Sequence, residues 1–341
     1  MKNPAIYFFS NVGKRITVFL IWSLSVVGFQ SCSDNSSLEN INTVEDDPIG
    51  QDDDTIAVPT NDVFDFTVNR DESEIELAIS QALTIWGQYL ETDVTIRVNV
   101  VFVPNLPGFL GRSIPNGIKN FEGAPVQDVW YPLSLANAIN GSSLRPNEFD
   151  MDILITSDAN WYFGTDGNPG ASQFDFVTVL LHEVCHSLGF GSLSAVNNGL
   201  GAFGDFGIDG YIPSFSIPDL EGLPSIYDSY LETAQMENLT NKELFQNDSE
   251  ELGMALTSDE LFFAGMKTEA ENQGQRPKIF APPTFLDGSS ISHLDQGTYI
   301  MGNPNRLMEP FFIEGEVIHQ PGDLILAFLG DIGWTINNVD Q

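Results

Sequence analysis

Regular alternation of apolar and polar positions begins near Val63. From Glu74 to Leu90 the apolar residues Ile75, Leu77, Ala78, Ala82, Leu83, Trp86 and Leu90 recur mostly at spacings of three and four, which predicts an amphipathic helix. The period then changes: Val94, Ile96, Val98, Val100 and Phe102 fall on every second position, which predicts a strand over Val94 to Val103. A helix followed by a strand opens an α/β or α+β domain. Pro104 to Gly117 is rich in Gly and Pro and reads as loop, Asp152 to Thr156 as a short second strand, and Asn160 to Gly170 as successive turns. Between Phe174 and Leu188 apolar residues cover most of a helical circumference, as in a helix buried at a domain centre. Ser172 and Asp175 are its expected capping pair and Gly189 its expected stop. A long insert with short helices at Ile226 to Ala234 and Ser258 to Gly265 follows, and Leu324 to Leu329 predicts a closing helix.

Ahead of Val63 the chain has a different character. Lys14 and Arg15 precede an apolar run, Ile16 to Phe29, that is too short to span a bilayer but suits a signal peptide. Gly28-Phe29-Gln30-Ser31-Cys32 ends it and resembles a bacterial lipoprotein signal, so residues 1–31 are expected to be removed and Cys32 lipidated. Phe29 and Gln30 are larger than such signals usually carry, and a simple signal peptide or an uncleaved anchor are the other readings. Residues 32–60 are polar and acidic, with too little apolar content to offset chain entropy, and predict a flexible tether. Residues 61–341 are then the folded domain. The resulting expectation is an exported, lipid-anchored monomer on a bacterial cell surface, the outer membrane in particular, touching the membrane only through its anchor.

Composition narrows the partners. The chain carries 48 acidic against 13 basic side chains, a formal charge of -35, which repels phosphate backbones and disfavours nucleic acid. Cys32 and Cys185 are the only cysteines, so a lipidated Cys32 leaves no intrachain disulfide. Cys185 reads as a small buried apolar residue.

The predicted central helix contains His182-Glu183-Val184-Cys185-His186. Four residues advance a helix by slightly more than one turn, about 6 Å, so both imidazoles project from one face and can converge on one ion. Glu183 is rotated about 100° from His182, which puts its carboxylate beside such an ion rather than on it. Two histidines and a glutamate on a buried helix would be costly unless something satisfied them. Catalytic zinc commonly takes three protein ligands and keeps one position open. From the residues alone the third ligand stays open among His293, His319 and a carboxylate of the insert such as Glu232 or Glu237. His319, followed by Gln320-Pro321-Gly322, reads as an exposed loop residue.

The motif continues as Ser187-Leu188-Gly189-Phe190-Gly191-Ser192 and is similar to the metzincin pattern of zinc metallopeptidases, in which a glycine turns the chain toward a third ligand three residues on. Here that residue is Ser192, a poor zinc ligand. Ser289-Ser290-Ile291-Ser292-His293-Leu294-Asp295, followed by Leu307-Met308-Glu309-Pro310, resembles the leishmanolysin-like branch, where a large insert precedes the third histidine and a methionine turn passes beneath the metal. The resemblance covers residues 150 to 335 in patches. Arg306 stands where the family usually has an acidic residue, and Pro310 excludes a tyrosine ligand at that place. The resemblance implies His293 as third ligand and Met308 as the methionine of the turn. It also implies an α+β fold with a twisted mixed sheet, a central active-site helix and a long insert before a mostly irregular C-terminal subdomain, divided at about 61–190 and 191–341.

The expected activity is that of a zinc-dependent endopeptidase acting on proteins or peptides, with Glu183 as general base. Asp152 to Thr156 is the expected edge strand that receives an extended peptide, and Asp295 the expected partner orienting His293. A structural calcium at Asp158, Asp166 and Asn168 is weighed against an ordinary turn. The alternatives are a zinc enzyme of another lineage with a glutamate ligand, and a non-catalytic surface adhesin or binding lipoprotein on the same fold.

Overall fold

The computed structural model describes residues 62–104, 106, 108–204 and 222–337. The expected signal peptide, Cys32 and the tether lie outside the described residues. The chain divides into two units, Met1–Thr55 and Ile56–Gln341, and the described residues all belong to the second.

The fold is mixed α+β. A four-stranded sheet is built from β1 (Phe64–Val68), β2 (Ile96–Val103), β3 (Gly111–Pro115) and β4 (Met151–Thr156) in the order β1-β2-β4-β3. β1 and β4 run parallel to β2, with Phe64 opposite Ile96 and Val100 opposite Ile153. β3 is antiparallel to β4, with Gly111 opposite Ile155. This corrects two expectations. Met151–Thr156 is paired on both sides and is not the edge, and the edge on that side is β3, inside the stretch expected to be loop. A strand buried on both faces explains the near-continuous apolar run of β4. Pro115 ends β3, a position an edge strand tolerates.

The helix α1 (Ser73–Tyr89) forms as its period predicts, with Glu74 and Glu76 favourably placed in its first turn. The helix α2 (Leu133–Asn140) precedes β4, and α3 (Phe176–Leu188) crosses the interior, with every residue but His186 buried. Val98, Val100, Ile153 and Ile155 face a core shared with α1 and α3, while Leu154 and Ile114 pack with Leu106 on the opposite face of the sheet. Each such side chain contributes about 1.5–3 kcal/mol on full burial. The Trp86 indole also donates to the Leu181 carbonyl at 3.0 Å, and Trp334 to Leu188 at 2.8 Å, so α1 and the C-terminal end of the domain both grip α3.

Asp175 alone caps α3, accepting from the Thr178 backbone N–H at 2.8 Å and its hydroxyl at 2.7 Å. Ser172 is not its partner; its carbonyl accepts from Asn160. At the other end Gly189 sits at φ 118°, and a Cβ there would lie 2.7 Å from Ile332 Cδ1. Both the dihedral and the space demand glycine.

The C-terminal half is made of short elements joined by loops. β5 (Leu231–Thr233), β6 (Leu261–Phe263) and β7 (Lys278–Ile279) form a small antiparallel sheet. Around it lie α4 (Glu250–Leu256), α5 (Met266–Glu271) and the closing helix α6 (Asp323–Ile332). The helices expected at Ile226 to Ala234 and Ser258 to Gly265 are instead a single 3-10 turn, Asp228–Tyr230, and the strands β5 and β6. Apolar runs this short fit either period, and pairing decided. Among the described residues no helix is long and apolar enough to cross a membrane.

Candidate metal centre

The two histidines of α3 meet His293, the residue the family resemblance implied. His182 Nε2 lies 3.0 Å from His186 Nε2 and 3.2 Å from His293 Nε2. Each ring is held by its other nitrogen at 2.7 Å from a backbone carbonyl: His182 Nδ1 on Leu307, His186 Nδ1 on Phe190 and His293 Nδ1 on Ser289. A carbonyl oxygen only accepts, so each Nδ1 carries the proton and each Nε2 presents a lone pair. Three lone pairs crowded together repel unless a cation lies among them. Two nitrogens bound at 2.0–2.1 Å to one tetrahedral ion stand about 3.3 Å apart, close to the spacing found. The donor set therefore fits a metal ion, and it is the one cluster of three His, Cys, Asp or Glu side chains suited to a metal among the described residues.

Protonation supports the same view. Burial pushes His186 down to about 4 and His293 down to about 3, with neighbouring imidazole charge adding to the effect at His293. His182 is held well below its ordinary value by burial first, then by His186 and His293. All three are neutral, as ligands must be, at physiological pH.

The turn that carries Met308 passes against α3. The Leu307 carbonyl holds His182, and the Met308 carbonyl accepts from the Leu294 N–H at 2.8 Å, next to His293. Met308 itself is fully buried. Arg306 pairs with Glu309 at 2.6 Å and with Glu316, which fastens the turn internally. Phe312, just beyond, sets its ring edge-on to His182 with 5.0 Å between centroids.

Glu183 points to the other side, toward β3. Its carboxylate accepts from the Ser113 N–H, and Gly111 makes room for it: a Cβ at Gly111 would stand 2.7 Å from Glu183 Oε1. Burial pushes the Glu183 carboxyl up to about 8, against the pull of the Arg112 charge and the Ser113 N–H. The histidines and Glu183 open on a cavity of about 300 Å³ whose walls include β3, Trp130, Phe285 and Phe311.

Two other expectations are corrected, those for Asp295 and His319. Asp295 does not orient His293; it accepts from Thr298 at 2.6 Å and pairs with Lys278 at 3.5 Å. His319 is not a free loop residue, since its Nε2 lies 2.8 Å from Asp175 Oδ1 at the cap of α3. Glu232 is held by Arg276 at 2.8 Å, and Glu237 by Thr233 at 3.4 Å, and neither joins the histidines. Ser192 Oγ is engaged with Ser194 Oγ at 2.6 Å. Asp166 is occupied by the Tyr162 hydroxyl and the Asn168 N–H within its own turn. The carbonyls that anchor the imidazoles were invisible to sequence reasoning. Gly111 and Ser113 of β3 were missed as well, although their alternation with Arg112 and Ile114 in a period of two is a signal that could have marked the strand.

Comparison with known proteins bears on the middle of the chain. A family model described as SPBPB7E8-like matches residues 129–202. That stretch holds β4, α3 and the His182, Glu183 and His186 side chains, and ends before His293. The chain is also similar to "Uncharacterized protein PB7E8.01" of Schizosaccharomyces pombe, 39% identical over 106 residues that make up 28% of this chain and 17% of the fungal protein. The chain thus spans about a sixth of that relative's length. No solved structure matches it significantly.

Proposed function

We propose that the protein is a zinc-dependent endopeptidase of the metzincin type. The observation that carries this reading is the meeting of three Nε2 lone pairs with a separate buried carboxylate, Glu183, at the wall of one cavity. His182, His186 and His293 would hold the ion. Zinc bound there would supply a Lewis acid that polarises a scissile carbonyl and lowers the pKa of a water. Left alone, a carboxyl raised to about 8 would hold its proton at neutral pH; the charge of an ion bound beside it would draw it back to the carboxylate, and Glu183 would then take the proton of the attacking water and return it to the leaving amine. The Ser113 N–H and the gap at Gly111 keep its carboxylate in one place. β3 is a free edge of the sheet, and an extended peptide adds to it as a further strand. The metzincin reading draws support from the edge strand beside the active-site helix, the turn at Gly189, and the buried Met308 in the loop that anchors His182.

Export and a lipid anchor at Cys32 remain part of the proposal and rest on the leader sequence alone. A monomeric state and protein or peptide substrates are part of the proposal as well.

Metal analysis of the purified protein, paired with a casein digest by wild type and Glu183→Ala, tests the reading. One zinc per chain is expected in both, with cleavage by the wild type only. Equal digestion by both would sink the assignment of Glu183, and a chain that holds no zinc would sink the whole proposal.

A further inference from the structure

Among the described side chains that line the cavity, Arg112 is the one lysine or arginine and Glu183 the one carboxylate. Arg112 sits on the edge strand β3, between Gly111, which faces Glu183, and Ser113, whose N–H holds it. Its guanidinium stands over the Phe109 ring, 5.8 Å from the centroid. Among the described residues that guanidinium makes no hydrogen bond and no ion pair, although the side chain is half-buried. Five N–H donors left without an acceptor in a partly desolvated place are costly. The chain has acids to spare, with 48 against 13 basic residues, and it pairs Arg276 and Arg306 with glutamates. The charges of Glu183 and Asp287 reach Arg112 without closing on it. A planar fork beside an aromatic ring is the arrangement that receives a carboxylate with two parallel hydrogen bonds.

Resting on the endopeptidase reading above, we infer that Arg112 is a specificity-determining residue that binds a carboxylate of the peptide laid along β3. That carboxylate belongs either to an acidic side chain near the scissile bond or to the free C-terminus of a short peptide. Both present the same chemistry to the guanidinium, and the test separates them.

The test uses the full zinc-loaded protein and quenched fluorescent peptides that differ only in Glu against Gln at positions flanking the cleaved bond, each made with a free and with an amidated C-terminus. Wild type is expected to favour a carboxylate-bearing peptide by on the order of tenfold or more in kcat/KM, the usual scale for hydrogen bonds to a charged group. Arg112→Gln is expected to bring that ratio to about one, and Arg112→Lys to restore part of it. Preference for Glu in the amidated series assigns the site to a side chain, and preference confined to free-acid peptides assigns it to the C-terminus. The same peptides titrated by fluorescence anisotropy against Glu183→Gln give the ratio from binding alone, without turnover. A wild type that treats all four peptides alike overturns the inference, and so does an Arg112→Gln variant that slows all of them equally and leaves the ratio intact. Absence of cleavage of any peptide together with a binding preference that Arg112→Gln abolishes would instead sink the endopeptidase reading and leave the carboxylate site standing.

Discussion

Replacing Gly111 with alanine sets one methyl group against the side chain on which the proposed chemistry depends. The new Cβ would lie 2.7 Å from Oε1, 2.8 Å from Cγ and 2.9 Å from Cδ of Glu183. Carbon atoms rest at about 3.5–4.0 Å, so one partner must give way by somewhat under 1 Å. The strand is the stiffer partner: Gly111 is in register with Ile155, and the Leu110 carbonyl accepts from the Thr156 N–H at 3.0 Å. Glu183 therefore moves. A misplacement on the order of 1 Å costs about a hundredfold in rate, and overpacking a dense interior costs about 1–3 kcal/mol of stability. None of the three carbonyls that anchor the imidazoles touches Gly111, so metal binding is expected to survive. The assay is kcat on a fluorogenic peptide, read beside zinc content and Tm. The expected variant is folded, melts several degrees lower and keeps its zinc, with kcat down by about two orders of magnitude. Wild-type kcat would refute the argument that this gap positions Glu183, and loss of rate in step with loss of zinc would refute the separation of base from ligands.

Removing His293 by substitution with alanine is expected to lower zinc affinity by more than the 10–100-fold that loss of an outer partner costs, measured by competition with a chromogenic chelator; unchanged affinity would exclude it as a ligand. Because His186 is held at about 4 and His293 at about 3, protons compete for the nitrogens only in that range. Zinc should stay bound through about pH 5 and leave near pH 4 and below, and half-release near 6.5, the ordinary imidazole value, would contradict the burial argument. Asp175→Ala deletes the cap of α3 together with the partner of His319, and should cost about 1–2 kcal/mol in urea unfolding. A midpoint equal to that of wild type would show the cap to be dispensable.

The elements that could be read from the sequence are those whose burial is one-sided and periodic. α1 and β2 declare themselves because successive apolar residues return to one face, and α3 because nearly every position is apolar. β3 escaped because its inner face carries Gly111 and Ser113, where Glu183 and Ser187 occupy the space that a larger side chain would fill elsewhere. His182, Glu183 and His186 are legible since one helical turn fixes their relation. His293 needs a fold to cross 111 residues of chain, and only the family resemblance pointed to it. Asp295 was expected to serve His293 because it is near in sequence, yet Lys278 and Thr298 claim it. The groups that orient the imidazoles are backbone carbonyls, which every residue has and no residue type announces.

The segment from Leu307 to His319 touches α3 at two distant points, His182 at the metal centre and Asp175 at the helix start. Ile318 adds a third tie, its N–H donating to the Thr178 hydroxyl at 2.8 Å. A strap moored at the start and again at the middle of a short helix does not peel from one side. Amide exchange in the protected core of α3 and at Ile318 should thus proceed as a single cooperative unit, and if zinc is bound as proposed, its departure and the release of the strap should register as one opening event.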